Sequence, residues 1–381
     1  MSATLRFVVF LTIVLGVWLV QHLYVGWRLW SLPVFANGTA RRGLLSFLVV
    51  AFVTYPLGRV LFGVGWHGVG RTLEYLGAVW MGTLLLLCVS LFVVDVVTLG
   101  GFALRQWVVG ARTGAVAVAL LAAAVAWIGG LKPPRIVELE AAVPGLPAVA
   151  DGTTIAHISD VHLGTILGRR RLAMIVNRVE TLQPDLVAIT GDLVDGDAGV
   201  VEEMLPQLRT LTAPRGVYSV LGNHEYYAGR GRSRRLLTDA GFTVLDNAAV
   251  EVAPGLFVAG VPDARGGAQT GGSEADLDQA LAEVGGSAVV LLQHSPENER
   301  RIADAGVGLM LDGHTHGGQI WPFSIPVKWV YPHIAGTYRV GEMTQVVSRG
   351  AGQWGPPMRL FAPAEIIHIT LRSPETMRRS P

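Results

Sequence analysis

Leu311-Asp-Gly-His-Thr-His-Gly-Gly-Gln-Ile320 is the stretch whose reading decides the fold. The apolar run Val307-Gly-Leu-Met-Leu311 has the length of a buried strand, and Asp312-Gly313 closes it. His314 and His316 follow with one residue between them. In extended backbone, residues i and i+2 point to the same side, so both imidazoles can face one point. Gly313, Gly317 and Gly318 let the chain turn sharply and approach whatever binds there. Alone, the stretch reads as a glycine-rich turn carrying two surface histidines. The rest of the chain overturns that.

Outward from this stretch, short apolar runs alternate with amphipathic helical ones, the signature of a layered α/β sheet. Strands are expected at Thr154–Ile158, Leu186–Thr190, Gly216–Leu221, Leu256–Val261 and Ala288–Leu292, and late, antiparallel ones at Gln345–Ser348 and Glu365–Leu371. Helices are expected at Arg170–Leu182, Glu202–Leu211, Ser233–Ala240, Glu274–Val284 and Glu297–Ala305. The polar residues gather where strands end: Ser159-Asp-Val-His162, Gly191-Asp192, Gly222-Asn-His-Glu225, Gln293-His-Ser295 and Gly313-His-Thr-His316. In open α/β sheets, sites form at the carboxyl ends of strands. Each group alone is a cap, a turn or a core histidine. Five strand ends, each delivering Asp, Asn or His to one rim, point to a metal site. The single cysteine, Cys88, lies in an apolar run, so no thiolate is at hand, and a mixed Asp/Asn/His set suits borderline-to-hard divalent ions. Seven donors exceed what one ion needs, and two ions sharing a bridging carboxylate use them all.

The series Asp160-Val-His162, Gly191-Asp-Leu-Val-Asp-Gly196, Leu221-Gly-Asn-His-Glu225, Gln293-His-Ser295 and Gly313-His-Thr-His-Gly-Gly-Gln319 resembles the calcineurin-like metallophosphoesterase superfamily. With the apolar N-terminal third, it most resembles the transmembrane branch that includes YkuE-like and YaeI-like bacterial proteins. The resemblance covers roughly residues 152–372. It implies an α/β fold built as a four-layer α-β-β-α sandwich. It also implies a first ion on Asp160, His162 and His316, a second on Asn223, His294 and His314, and Asp192 bridging the two. His224 would face the phosphoryl group without binding metal, so the catalytic residues implied are His224 and Asp192. Glu225 stands where many relatives carry aspartate. The implied cofactors are two divalent ions, with manganese, iron or zinc as candidates. Two such ions can activate a hydroxide for in-line attack on phosphorus and stabilise the transition state.

The first 131 residues are of another kind. Glu74 and Asp95 are their only acidic side chains, in a chain of 381 residues that is 51% hydrophobic overall. Apolar runs at Leu5–Trp27, Leu44–Val64, Tyr75–Leu99 and Gly114–Leu131 each approach the roughly 20 residues that cross a bilayer. Tryptophans and tyrosines near their ends fit an interfacial belt. We therefore expect an all-α, four-helix transmembrane region over 1–131, a linker or edge strand over 132–151, the phosphoesterase domain over 152–372 and a tail over 373–381. Asp95 is either a functional intramembrane carboxylate or a helix-end residue that reaches water. Four crossings put the domain on the side of the N-terminus. Arginine and lysine near the helix ends balance, five against five, and Arg41-Arg42 leans the domain away from the cytoplasm. The expected location is a bacterial inner or plasma membrane.

A formal net charge of +1 gives no support to nucleic-acid binding, and no protein partner is implied. Arg169-Arg-Arg171 and Arg230, Arg232, Arg234 and Arg235 are either a solvated basic face or a patch for anionic headgroups or phosphates. Arg349 and Arg230 are candidate substrate contacts. So is Trp321, which opens the aromatic, proline-rich stretch to Tyr331, read as either core packing or a lid for an acyl chain or bilayer. The expected function is hydrolysis of a phosphodiester or pyrophosphate in an amphiphilic substrate, with membrane lipids as partners. UDP-2,3-diacylglucosamine is one candidate by analogy. The alternatives are soluble phosphodiesters with the helices as an anchor, or a receptor or transporter with a regulatory phosphoesterase domain.

Overall fold

A computed structural model describes residues 3–270 and 275–379. The chain forms two compact units: one holds the residues up to Leu131 together with Gly355–Leu360, the other Lys132–Trp354 and the residues from Phe361 on.

The first unit contains four long helices, α1 (Ala3–Trp30), α2 (Gly38–Gly63), α3 (His67–Val97) and α4 (Arg105–Leu131). Among the described residues, α2, α3 and α4 are long and apolar enough to cross a membrane. Many of their large apolar side chains face outward, including Phe47, Val60, Phe92 and Leu121, as lipid contact allows. Small residues decide how closely the helices approach. A Cβ at Gly58, Gly70 or Gly77 would strike the backbone of the facing helix, so these glycines let α2 and α3 pack backbone to backbone. The two acidic side chains are both paired. Asp95 accepts from Arg28 at 2.6 Å, Arg112 at 3.2 Å and Tyr24 at 2.6 Å, tying α1, α3 and α4 together. Arg59 reaches Glu74 at 2.9 Å between α2 and α3. Asp95 is buried. Of the two options left open for it, a helix-end carboxylate in water does not apply. The segment Gly355–Leu360 joins this unit from far along the chain: the Arg359 N–H donates to Ala126 at 2.7 Å. Gly129 and Gly130 leave its backbone room there.

Among the described residues, the second unit is built on twelve strands: β1 (Arg135–Ala142), β2 (Thr154–Ile158), β3 (Leu186–Thr190), β4 (Val217–Val220), β5 (Thr243–Val244), β6 (Ala248–Ala253), β7 (Leu256–Gly260), β8 (Ala288–Leu292), β9 (Leu309–Asp312), β10 (Gly336–Val340), β11 (Met343–Val347) and β12 (Glu365–Arg372). They form two six-stranded sheets, in the orders β1-β12-β2-β3-β4-β5 and β10-β11-β9-β8-β7-β6. The stretch read as linker or edge strand supplies β1, parallel to β12. Strand alternation builds the layers. Ala288, Val290 and Leu292 of β8 join Ile155, Leu186, Val220 and Ile367 in a core between the sheets. Val289 and Leu291 turn the other way, packing with Leu277, Ala280 and Ile302 from outer helices. The helix Arg169–Leu182 connects β2 to β3 and buries the stripe Leu172, Ile175, Val176 and Val179. The result is a helix–sheet–sheet–helix sandwich.

Three expectations change. Glu202–Leu211 is not one helix: Ala198–Glu202 and Leu205–Leu208 are separate. Pro206 has no amide hydrogen, and its ring would clash with the carbonyl of Glu202 in a continuous helix. The helix expected over Glu274–Val284 is shortened to Leu277–Leu281, and its first residue lies outside the described residues. The late strands are not simply antiparallel, since β11 runs parallel to β9 and β12 parallel to β1.

Candidate metal centre

Strands β2, β3 and β4 are parallel neighbours in one sheet, and β7, β8 and β9 in the other. All the candidate ligands follow the carboxyl ends of β2, β3, β4, β8 and β9. The backbone at these ends is unusual. Asp160, His162, Asp192, His314 and His316 all have φ between 51° and 68°, the left-handed region. That conformation costs a non-glycine residue about 1 kcal/mol or more, and it persists only where the surroundings impose it. Five of the seven candidate ligands share it. Gly313 is needed for a further reason: a Cβ there would overlap Ser159 and the Asp160 carboxylate.

Polar backbone groups lock the loops together. Asp160 accepts the His314 N–H at 3.0 Å on each carboxylate oxygen, joining the two sheets. The buried Glu225 carboxylate collects the N–H groups of Asp192, Val194 and Gly222 at 2.8–2.9 Å. Glu225 therefore serves as the clasp between two motif loops.

The side chains converge in three overlapping groups. Asp160, His162 and His316 form one, Asp192, His294 and His314 another, and His162, Asp192 and His224 a third between them; within each, the donor atoms lie within 4.8 Å of one another. His162 Nε2 is 3.1 Å from His316 Nε2, and His294 Nε2 is 3.1 Å from both His314 Nδ1 and Asn223 Oδ1. Asp192 Oδ2 stands between the groups, 3.2 Å from His294 Nε2 and 3.7 Å from His162 Nε2. Donors about 2.1 Å from a common ion lie about 3.0–3.4 Å apart, so the 3.1 and 3.2 Å separations suit shared coordination, while the 3.7 Å one is longer. His294 makes the demand for a cation plain. Its Nδ1 lies 2.8 Å from the Thr190 carbonyl, which can only accept, so Nδ1 carries a hydrogen, and Nε2 faces three other electron-rich atoms, a place for a second proton or a metal ion. Something positive belongs there.

The electrostatics say the same. Burial disfavours charge on His294, yet Asp192 beside it holds its pKa well above the usual histidine value. Burial would raise the Asp192 carboxyl, but His294, His224 and His162 hold it well below the ordinary range. Burial pushes His162 and His314 down to about 4, leaving them neutral and ready to ligate. Asp160 is pushed up to about 6 by burial, with the Asp192 charge adding to it.

His224 is placed differently. Its Nδ1 lies 2.7 Å from Asp195 Oδ1, leaving Nε2 free. Burial lowers its pKa, but Asp192 and the Asp195 bond outweigh this and raise it to about 9. Tyr227 and Trp354, each about half exposed, flank the ring at 5.5 and 5.9 Å. Asp195 escaped the sequence reading, although the second acid of Gly191-Asp-Leu-Val-Asp195 was in view.

The candidate substrate contacts stand apart from the ligands. Arg349 donates from its guanidinium to the buried Glu365 carboxylate at 2.8 and 3.1 Å and from its backbone N–H at 3.0 Å, while its stem packs on Gly317. Arg230 pairs with Asp246 and lies over the Tyr226 ring. Trp321 is half exposed and meets Phe361 edge-on at 6.3 Å. Much of the arginine-rich sequence is already partnered: Arg171 is buried against the Lys132 carbonyl, Arg169 donates to Glu203, and Arg232 pairs with Glu202.

Fold and site together define a class, the α/β sandwiches that present a mixed oxygen and nitrogen donor set to a pair of divalent ions. A calcineurin-like phosphoesterase family profile matches residues 153–318. The chain is 35% identical over 274 residues to a cattle transmembrane protein with a metallophosphoesterase domain, covering 68% of this chain and 62% of that one. It is 35% identical to an uncharacterized metallophosphoesterase of Aquifex aeolicus, covering 57% of this chain and 84% of the relative. With the uncharacterized metallophosphoesterase YkuE of Bacillus subtilis it shares 32% identity, covering 60% and 82%. The chain belongs to the calcineurin-like metallophosphoesterases, in the branch that carries transmembrane helices. It spans about three fifths of the length of the cattle relative.

Proposed function

We propose that this chain is a membrane-anchored di-metal phosphohydrolase that cleaves a phosphodiester or pyrophosphate bond in an amphiphilic substrate. The observation that carries the reading is the position of Asp192 Oδ2, within 4 Å of a histidine from each donor group. A single carboxylate shared by two donor sets suits a binuclear centre. Asp160, His162 and His316 would hold one ion; Asn223, His294 and His314 would hold the other. When bound, two divalent cations of the manganese, iron or zinc kind supply Lewis acidity towards phosphoryl oxygens and lower the pKa of water.

The chain's own residues do the rest. Asp195 fixes the His224 tautomer and orientation through Nδ1, so that Nε2–H points out of the pair as a proton donor. His224 then donates that proton to the leaving oxygen or to an equatorial phosphoryl oxygen. Tyr227 and Trp354 give the same ring an apolar rim, which suits a leaving group with a hydrocarbon part. Four crossings would place the phosphoesterase unit on the side of the N-terminus, and Arg41-Arg42 in the first loop leans that side away from the cytoplasm.

The test is a substrate panel with the purified full chain and manganese. Bis-p-nitrophenyl phosphate comes first, followed by matched diesters and pyrophosphates with and without acyl chains, UDP-2,3-diacylglucosamine among them. Faster turnover of the acylated member of each pair is expected. Equal rates would remove the amphiphilic substrate and leave the reaction class standing; no hydrolysis of any ester would remove both.

A further inference from the structure

We propose that the helix Ser324–Val330 and its flanks form a second membrane contact, an interfacial face that the phosphoesterase unit lays on a bilayer surface. This helix buries none of its seven residues. Trp329 is 82% exposed and Phe361 is 81% exposed, with Trp321, Phe323, Ile325 and Val330 about half exposed beside them in the chain. A soluble surface seldom gathers so much aromatic area without a partner.

The face is continuous with the mouth of the metal centre. Trp354 flanks His224, and its backbone is clasped by the Gln319 side chain, whose amide donates to the Trp354 carbonyl while its oxygen accepts the Trp354 N–H, both at 2.9 Å. Ile320 bridges to Phe361, and Trp321 packs on the Phe361 ring.

Chain connectivity and side-chain chemistry choose the occupant. Leu131 ends a helix apolar enough to cross a membrane, and this unit begins at the next residue. Phe361 directly follows Gly355–Leu360, a segment of the helical unit whose Arg359 N–H is bonded to that same helix. The unit that carries the face is therefore joined by the chain to that candidate membrane helix at Lys132, and the face itself follows at Phe361 a segment bonded to the same helix. Two tryptophans, a phenylalanine, branched aliphatics and Lys328 in one short stretch are the composition that rests at the headgroup boundary. The inference does not depend on which phosphate ester is cleaved.

The test uses the full chain in phosphatidylcholine–phosphatidylglycerol nanodiscs, with Cys88→Ser removing its only cysteine. A single cysteine is placed at Ile325→Cys or Trp329→Cys and labelled with an environment-sensitive fluorophore. Glu342→Cys is the control, in the turn before β11, which runs parallel to β9 and so starts at the end of the sheet away from the metal ligands. Lipids carrying a nitroxide high on the acyl chain should remove about half the emission at positions 325 and 329 and leave position 342 unchanged. Hydrolysis of bis-p-nitrophenyl phosphate, unchanged in each variant, verifies the fold. Emission at 325 and 329 as wet and unquenched as at 342 would overturn the proposal. Shielding from aqueous iodide without quenching by the lipid would overturn it too, by assigning the face to a protein such as a second copy.

Discussion

On the proposed reading, His224 and Asp195 form the proton-donating pair beside the candidate ligands. Their 2.7 Å bond and the nearby Asp192 raise the His224 pKa to about 9, so the imidazole holds a proton that a leaving oxygen would need. His224→Ala should lower turnover about 100-fold or more while metal content stays at the wild-type level. The loss should be larger for an alkyl leaving group than for p-nitrophenolate, which departs with little help. Asp195→Asn should move the basic limb of the pH–rate profile to lower pH, because the carboxylate that raises His224 is gone. Paired rate and metal assays decide; loss of both metals in the alanine variant would contradict the role. The seven candidate ligands were legible in sequence because each lies in a loop that follows an apolar run, where a strand must end. Asp195 was not, since a second acid three residues on looks like turn chemistry until a histidine from another loop is placed on it. Glu225 looked like a mild substitution, and two of its three backbone partners, Asp192 and Val194, come from a loop that only the fold brings beside it.

At the scale of elements, the strands that carry the site are legible and those at the margins are not. β2, β3 and β8 have the bounds read from sequence; β3 and β8 are almost wholly apolar runs buried on both faces, and β2 keeps its bounds although His157 interrupts its run. β6 and β10 are largely exposed edge strands whose side chains give no such signal, and they were missed. β2 also carries a cost. His157 is fully buried beside the Thr190 hydroxyl at 2.9 Å, its Nδ1 has no partner, and burial lowers its pKa to about 3. The folded value lies below the unfolded one, near 6.5, so the unfolded chain binds the proton more tightly. Stability from this group is present above pH 6.5 and is lost as pH falls towards 3, by about 3 kcal/mol at pH 4.5. Thermal unfolding of the chelator-treated chain at pH 7 and pH 4.5 tests this. His157→Gln should narrow the gap in Tm, without closing it, because His162 and His314 are held low as well. An unchanged gap would mean the strand tolerates the charge.

At the scale of the whole molecule, a helical unit whose buried acids are all paired accompanies a sandwich whose buried acids and histidines are left to share something between them. The division after Leu131 was legible in composition alone. The return of Gly355–Leu360 to the helical unit was not, since nothing in that segment names Ala126, Gly129 or Gly130 as its neighbours. The sandwich followed from the family resemblance that the five polar strand ends carry, and the two-ion centre proposed above rests on their convergence around Asp192. The most direct measurement is the number of manganese ions bound per full-length chain, taken alongside hydrolysis of bis-p-nitrophenyl phosphate. Two ions per chain with turnover are predicted for the wild type, and Asp192→Ala should lose turnover together with most of the bound metal. A single ion in the active wild-type chain, or two ions retained in an inactive Asp192→Ala variant, would contradict the shared-carboxylate centre.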